Sequence, residues 1–584
     1  MRTFKIIQTR NAVLTGAILL AMFFLTIGCA PSDSSGTADL VLRGGKIVTV
    51  DANYPEAEAI AVKGDTILAV GSNEEIDAFI GSATNVIDLD GKLAIPGFIE
   101  GHGHYLGLGR AKMILDLTTA KNWDEIVAMV ARAVETAEQG EWIRGRGWHQ
   151  EKWDTVPEGA VEGTPTHHSL STVSPDNPVY LTHASGHASF VNELALLLGG
   201  VSPETPDPAG GEILHDARGE PTGMLRETAQ RLVGRALAES RQNMSDEEQE
   251  AEMRTMAALA AEEALSKGIT SFHDAGTGFS TIDFYKRLAD EGNLPVRIYA
   301  MIRAGNESLA RNLADNFVLG YGNDHLTVRS IKVSIDGALG SHGAWLLAPY
   351  EDMPGSAGLN TTAVDDVVQT AELAVLHGFQ LNVHAIGDRA NREVLDIYED
   401  AYNTNPGDDD RRWRIEHSQH LSLDDIPRFA ALGVIASMQG IHCTSDAPWV
   451  YKRLGARRAE EGAYVWQKLW LSGAIVTNGP DAPVEDIDPI ASYYATVSRK
   501  LNDGSVFFPD QRLSREQALQ SYTLNNAIAA FEEDIKGSLT VGKLADITVL
   551  SRDILTIDEE EIPFTEVLYT IVGGEVLFEK SGAE

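Results

Sequence analysis

Two histidines, His102 and His104, end an apolar run and are separated by a single glycine. On a β-strand alternate side chains share a face, so these two imidazoles would point in the same direction. Two neutral imidazoles on one face suit zinc or another borderline metal. A His-x-His pair is also compatible with a glycine-rich loop that binds no metal, so the remaining ligands must be sought elsewhere in the chain.

Three further candidates each follow a short apolar run. His384 precedes Ala-Ile-Gly-Asp, His417 ends Arg-Ile-Glu-His, and Asp481 ends Thr-Asn-Gly-Pro-Asp. Alone, each residue would be typical of a satisfied core or loop position. Because each one ends a predicted strand, together they predict a single centre.

Lys332 lies in a segment of alternating polarity. Ser330, Lys332, Ser334 and Asp336 share one face of the predicted strand, and Ile331 belongs to the other. The apolar face should pack on helices, which directs the lysine inward, where a bare ammonium is costly to desolvate. A buried lysine is often neutral, paired or chemically modified. A structural ion pair with a carboxylate is the simpler alternative.

The elements that must position these residues are strands alternating with helices. Eight strands are predicted, at 94–104, 269–273, 296–302, 330–335, 380–384, 413–417, 434–438 and 475–478. This alternation predicts an α/β fold, a (β/α)₈ TIM-like barrel, whose catalytic groups cluster at the carboxyl ends of the strands. An open doubly wound sheet is the alternative, but no glycine-rich phosphate fingerprint follows any strand.

Short β runs flank the barrel segment. Those in 38–93 and 535–584 predict a small β-sandwich formed by both chain ends. The barrel would then span 94–534, interrupted at about 120–240 by an aromatic-rich insertion. A segment this long between two strands is interpreted as a cap over the site.

The first residues have the pattern of a targeting signal. A basic start, an apolar core over 12–27 and Leu-Thr-Ile-Gly-Cys predict a bacterial lipoprotein signal over 1–28, with lipid on Cys29 and a tether over 29–37. An ordinary signal peptide or an uncleaved anchor is the alternative. The expected location is extracytoplasmic, on the periplasmic side of the inner or outer membrane.

The charge of the chain and its cysteine content bear on nucleic-acid binding and on disulfide formation. Asp and Glu number 85 against 47 Lys and Arg, a formal charge of -38, which argues against a nucleic-acid partner. The two cysteines are Cys29 and Cys443, and with Cys29 lipidated no structural disulfide is expected.

The motifs together resemble the amidohydrolase superfamily, and more narrowly the large metal-dependent hydrolases that include N-substituted formamide deformylases. The resemblance runs over roughly 38–580. It is carried by the motifs at 96–104, 332–337, 384–388, 415–417, 445–448, 479–483 and 542–546.

The resemblance implies two divalent ions, most simply zinc. His102 and His104 would bind one ion with Asp481, and His384 and His417 would bind the second. Lys332 would carry a CO₂-derived carboxylate that bridges the two ions.

The same resemblance implies roles in catalysis. Asp481 would take a proton from a metal-activated water and pass it to the leaving nitrogen. His187, in the insertion, matches a family histidine that reaches the site. His442 is a second candidate for contact with the substrate because of its position, which is interpreted as the end of the seventh strand. His273 is interpreted as structural, and a Cys443 nucleophile is disfavoured because the metal set accounts for the chemistry.

The function this implies is hydrolysis of a non-peptide, amide-type carbon–nitrogen bond in a small molecule. An aminoheterocycle deaminase is an alternative, although such enzymes generally lack the bridging lysine. A lactonase or organophosphate hydrolase would use the same site. A surface lipoprotein that binds metal or ligand without turnover is the non-enzymatic alternative, and assembly as a homodimer is left open.

Overall fold

The computed structural model describes residues 36–241, 244–407 and 410–581. The predicted signal segment and Cys29 lie outside the described residues. Among those described, no helix is long and apolar enough to cross a membrane.

The N-terminal part is built from short strands. They are β1 Leu40–Arg43, β2 Lys46–Val48, β3 Glu56–Ala57, β4 Ala59–Lys63, β5 Thr66–Gly71, β6 Asn85–Asp88 and β7 Leu93–Pro96, with helix α1 Asn73–Asp77. A four-stranded sheet has the order β5-β4-β1-β6. The β1–β6 pair is parallel and the others are antiparallel, so this sheet is mixed rather than purely antiparallel.

The insertion follows the first barrel strand, β8 Phe98–Gly103, and helix α2 Tyr105–Ala111. It holds its own six-stranded sheet, in the order β13-β14-β12-β11-β10-β9. Its strands are β9 Leu115–Asp116, β10 Ile143–Trp148, β11 Val179–His183, β12 Ala188–Val191, β13 Gly211–His215 and β14 Pro221–Glu227. Its helices are α3 Trp123–Val134, α4 His168–Val173, α5 Glu193–Leu198 and α6 Gln230–Ser240. The sequence predicted a cap but no sheet, because glycines and prolines interrupt the period-2 pattern.

The barrel resumes after helix α7 Asp246–Ser266, which Ser245 and Glu248 cap reciprocally. Its later strands are β15 Ile269–Thr277, β16 Arg297–Ile302, β17 Val318–Gly320, β18 Leu326–Ser334, β19 Gln380–Ala385, β20 Arg414–His417, β21 Ile435–Met438 and β22 Val476–Asn478. Its helices are α8 Phe279–Asp290, α9 Asn306–Asn312, α10 Tyr321–Asp324, α11 Val364–His377, α12 Asp388–Thr404, α13 Ile426–Leu432, α14 His442–Gly462, α15 Trp466–Leu471, α16 Pro489–Ser498, α17 Arg515–Tyr522 and α18 Leu524–Ala529. The strands run parallel from β8 through β15, β16, β18, β19, β20 and β21 to β22, while β17 pairs antiparallel with β18. The predicted eight-stranded barrel is confirmed.

A side chain bridges the seam between the first and last barrel strands. The Asn526 amide donates to the carbonyl of Ile99 at 2.7 Å and to that of Asn478 at 2.8 Å. A Cβ at Gly101 would lie 2.5 Å from the Asn478 carbonyl oxygen, and one at Gly479 would lie 2.8 Å from the His102 nitrogen. Glycine at these two positions allows the strand ends to approach closely.

The C-terminal strands are β23 Ile547–Leu550, β24 Val567–Val572 and β25 Glu575–Glu579. They join the N-terminal strands in one sheet, ordered β25-β24-β23-β7-β2-β3. Arg297, at the start of β16, forms a buried bidentate pair with Asp546 at 2.8 and 3.1 Å, which ties this sheet to the barrel. Strand β7 leads directly into β8, so the sheet supports the strand that carries the His-x-His pair.

Candidate active site

The sequence-predicted residues meet at the carboxyl ends of the barrel strands. One cavity of about 800 Å³ is bounded by the barrel and the cap. The predicted residues among its walls are His102, His104, His187, Lys332, His384, His417 and Asp481.

A compact group with metal-ligand chemistry lies at the bottom of this cavity. One ligand atom from each of His102, His417 and Asp481 lies within 4.8 Å of the other two, and all three residues are buried. The Asp481 Oδ1 and His384 Nε2 atoms are also buried and form no hydrogen bond of good geometry with any described residue, although His104 Nε2 lies 3.3 Å from the first and Asp336 Oδ1 lies 3.4 Å from the second. A buried imidazole nitrogen and a buried carboxylate oxygen without such hydrogen bonds match the donor set of zinc, so these residues fit a divalent ion.

The structure groups His417 with His102 and Asp481, whereas the sequence interpretation assigned His417 to the second ion. The rings of His417 and His384 are 4.3 Å apart, centroid to centroid. His417 therefore lies between the two expected ligand sets. The division of ligands between two ions stays a prediction.

His104 and Lys332 complete the immediate surroundings. His104 Nε2 lies 3.3 Å from Asp481 Oδ1 on the cavity side. Lys332 Nζ lies 3.2 Å from His102 Nε2, deep inside the barrel. Burial lowers the pKa of Lys332 to about 7. The lysine therefore points inward as the alternation of its strand indicates, and its amine holds its proton weakly.

Left-handed backbone conformations bring His417 and Asp481 to the centre. Strand alternation places Glu416 on the interior face and His417 on the opposite one. His417 has a φ of 77° and the following Ser418 a φ of 43°, which turns the imidazole back toward His102. Asp481 has a φ of 59°. For residues other than glycine such conformations cost roughly 1–3 kcal/mol and are concentrated at functional sites.

A buried ion pair orients His102. Glu416 Oε2 contacts His102 Nδ1, and Arg414 Nε lies 2.7 Å from Glu416 Oε1. Arg414 also donates to the Gly101 carbonyl at 2.7 Å. A carboxylate on Nδ1 leaves Nε2 free to face a metal. Sequence reasoning missed this role, although the alternation of polar residues in Arg-Ile-Glu was a usable signal.

His187 reaches the centre from the cap. Its ring lies 4.9 Å from that of His384, and its Nδ1 is 2.8 Å from Glu227 Oε2. A Cβ on Gly337 or Gly343 would lie 2.0 or 2.2 Å from Glu227 Oε1, so both glycines make room for this carboxylate. Burial alone would lower the pKa of His187, but the Glu227 carboxylate raises it above its ordinary value. No local sequence signal pointed to Glu227.

Asp336 fastens the loops after β18 and β19 together. Its carboxylate accepts N–H groups from Trp345, Ile386 and Gly387 at 2.9, 3.0 and 2.8 Å. Burial nevertheless raises the pKa of Asp336 to about 7. The carboxylate lies 3.4 Å from His384 Nε2, and its hydrogen bonds to Ile386 and Gly387 fix the end of the strand that carries this histidine.

The remaining candidates lie at the edge of the centre. His442 begins α14, some residues after the end of β21, so it opens a helix rather than ending a strand; its ring is parallel to that of His417 at 6.4 Å. It borders a smaller adjoining pocket. His273 lies within β15, which continues to Thr277, and its Nδ1 is 3.1 Å from Arg414 Nη1 behind the centre. Burial raises the pKa of the Cys443 thiol to about 11, which disfavours a thiolate nucleophile.

Known proteins resemble the chain over nearly its whole length. A family model described as the amidohydrolase family matches residues 85–578. The chain is 34% identical to the protein LONG AFTER FAR-RED 3 of Arabidopsis thaliana, covering 96% of this chain and 95% of that protein. It is 27% identical to an N-substituted formamide deformylase of Arthrobacter pascens, and the match covers 93% of this chain and 99% of that protein. The crystal structure of an uncharacterized metal-dependent hydrolase from Pyrococcus horikoshii OT3 covers 89% of this chain and 99% of its own, with 25% identity and a TM-score of 0.70.

Proposed function

The chain belongs to the amidohydrolase family, and from that premise we propose that it is a metal-dependent hydrolase of a non-peptide, amide-type carbon–nitrogen bond in a small molecule. The observation that carries the proposal is the buried group of His102, His417 and Asp481 at the bottom of a capped cavity. The formamide deformylase relative, whose name states an amide substrate, supports the bond type. The cap favours small molecules, because a cavity of this volume beneath a cap admits them and excludes folded proteins.

The predicted ligand set would hold two divalent ions, most simply zinc. Such ions supply an acidified water and polarise a carbonyl oxygen. The net reaction converts an amide and one water into a carboxylate and a protonated amine.

Asp481 is suited to move the proton. Burial alone would raise its pKa, but His102 and His104 hold the pKa of Asp481 below its ordinary range. It is therefore a carboxylate that can accept the water proton and deliver it to the leaving nitrogen. His187, whose pKa the Glu227 carboxylate raises, is placed to donate a hydrogen bond to a substrate that lies over His384.

Lys332 is proposed to carry a carboxylate. Its neutral amine would add to CO₂, which forms a carbamate on Nζ and releases one proton. The product replaces a buried cation with an oxygen donor next to His102, from which Nζ is 3.2 Å away. This removes the desolvation cost of an ammonium in the barrel interior.

The test is metal content together with turnover, on protein that begins at Ser32 and is purified without chelator. About two ions per chain, the two-metal arrangement, and hydrolysis of simple formamides are expected. His102→Ala should lower metal content and abolish turnover while the fold is retained. The control is His168→Ala, which removes an exposed histidine of the cap. Full activity of the His102 variant would contradict the proposed centre.

The same experiment separates the alternatives. One ion per chain with release of ammonia from aminoheterocycles would favour a deaminase and leave Lys332 without a role. Hydrolysis of lactones in preference to formamides would change the bond type but keep the centre. Absence of metal after zinc and bicarbonate are resupplied would favour a non-catalytic binding protein.

A further inference from the structure

The cavity has the opposite charge to the rest of the molecule. The chain carries a formal charge of -38. Six arginines nevertheless line the cavity, and the carboxylates among its walls are Glu227, Asp336 and Asp481. The arginines are Arg110, Arg144, Arg146, Arg231, Arg235 and Arg303.

These arginines converge from both the barrel and the cap. Arg110 lies on α2 and Arg303 follows β16, both in the barrel. Arg144 lies in the cap strand β10, and Arg231 and Arg235 lie one turn apart on the cap helix α6. Four separate elements therefore contribute arginines to one cavity. The cluster forms only because the cap packs over the barrel.

The three carboxylates of the cavity already have partners or roles. Glu227 pairs with His187, Asp336 accepts three backbone N–H groups, and Asp481 belongs to the candidate metal group. No arginine of the cluster forms an ion pair with any described residue. Arg226, a neighbouring arginine of the cap sheet that does not line the cavity, differs from the cluster because it pairs with both Glu162 and Glu212.

The cluster is electrostatically unfavourable in the absence of a ligand. Burial lowers the pKa of Arg144, and the nearby Arg110 and Arg241 lower it further, whereas Glu252, which pairs with Arg241, raises it. Burial and the nearby Arg231 both lower the pKa of Arg303. The Arg303 side chain is exposed to the cavity, and protein surrounds the cavity at this point. Like charges that outnumber the carboxylates around them create a positive potential, which attracts an anion.

Arg303 connects the cluster to the catalytic centre. Its Nη2 donates to Ser334 Oγ at 2.9 Å, and Ser334 lies on the same strand face as Lys332, two residues away. Arg146 has a different role, since it donates to the backbone carbonyls of Ala184 and Pro483 and thereby joins the cap to the loop that carries Asp481. The guanidinium groups that remain free for a ligand therefore begin beside the centre and extend under the cap.

We propose that the substrate is an acidic amide, which carries a carboxylate or phosphate group away from the scissile bond, and that Arg144, Arg231, Arg235 and Arg303 bind this oxyanion. The inference rests on the proposed function. Arginine suits the task, because its planar fork donates two parallel hydrogen bonds to a carboxylate or phosphate. The positive charge of the cavity would also draw an acidic substrate toward it, although the chain as a whole is acidic.

The kinetic test uses the metal-loaded protein and three formamides of similar shape. They are 4-(formamidomethyl)benzoate, 4-(formamidomethyl)phenyl phosphate and the neutral 4-(formamidomethyl)benzamide. We expect kcat/KM to be at least about tenfold higher for one of the acids than for the benzamide, and the better acid identifies the group. The preference should decrease with added salt, because ions screen the cluster.

Variants of the cap arginines test the assignment. Arg231→Gln/Arg235→Gln, or Arg144→Gln alone if the double variant fails to fold, should reduce the preference for the acid about tenfold, chiefly through KM. The matched control is Arg457→Gln, which removes an arginine whose side chain is 81% exposed on α14. A wild-type protein that prefers the benzamide, or cap variants that retain the full preference, would overturn the proposal.

A binding measurement separates this proposal from the proposed function. Calorimetry with 4-(methanesulfonamidomethyl)benzoate and its neutral benzamide analogue requires no turnover. Tighter binding of the acid, lost in the double variant, supports the arginine site even if no formamide is hydrolysed. Equal affinity for the acid and the neutral analogue would contradict the site even in an active hydrolase.

Discussion

At the scale of single residues, the centre is supported by a buried ion pair whose members are not themselves candidate metal ligands. Arg414 and Glu416 are fully buried, and Glu416 contacts the Nδ1 atom of His102. Removing one member of a buried pair leaves the other charge without compensation, which typically costs about 3–5 kcal/mol. The pair is therefore expected to matter for both stability and metal binding.

Glu416→Gln tests this role. The variant keeps the side-chain size but loses the charge that orients His102 and neutralises Arg414. We expect metal affinity to fall about 10–100-fold, the usual effect of losing such a partner, and thermal stability to decrease. Competition with a chromophoric chelator measures the affinity. Glu461→Gln, at an exposed pair with Arg457, is the control. Unchanged metal affinity in Glu416→Gln would show that His102 is oriented by other contacts.

At the scale of elements, the barrel is closed by a helix rather than by a further strand. Helix α18 places the Asn526 amide between β8 and β22, where it donates to one carbonyl of each strand. Strand β8 carries His102, and the loop after β22 carries Asp481. The bridge therefore sets the distance between the two sides of the candidate metal group.

Asn526→Ala should open this seam. Each buried carbonyl left without a donor costs about 1–3 kcal/mol, so we expect faster thermal inactivation and lower metal occupancy. Inactivation half-lives and elemental analysis measure the two effects. Asn293→Ala is the matched control, because that amide is exposed and donates to the Glu291 side chain. A variant with wild-type half-life and occupancy would mean that packing alone holds the seam.

At the scale of the whole molecule, the strongly acidic surface surrounds a basic cavity. The sheet shared by both chain ends and the six-stranded sheet of the cap flank the barrel. The predicted lipid on Cys29 would precede this assembly by a short tether. Acidic ligands would therefore meet a favourable potential inside the cavity, and the predicted membrane attachment would depend on the lipid at Cys29.

Cys29→Ser tests the attachment. Without the lipid, which contributes about 0.8 kcal/mol for each buried CH₂ group, the protein should move from the membrane to the soluble fraction. Fractionation followed by immunoblotting measures the distribution. Cys443→Ser is the control, because Cys443 is buried in the barrel and should leave the protein on the membrane. Membrane retention of the Cys29 variant would require another anchor.

The sequence by itself determined the barrel, the strand ends that carry the candidate residues and the inward direction of Lys332. Period-2 alternation is a local property, so it correctly directed Lys332 into the barrel, whose strand ends bring such residues together. Tertiary structure alone decided the rest. The left-handed φ of His417 reverses the direction that alternation assigns, and Glu227 and the arginines of α6 reach the cavity only because the cap folds over it. These features depend on contacts between segments far apart in the chain, about which local periodicity carries no information.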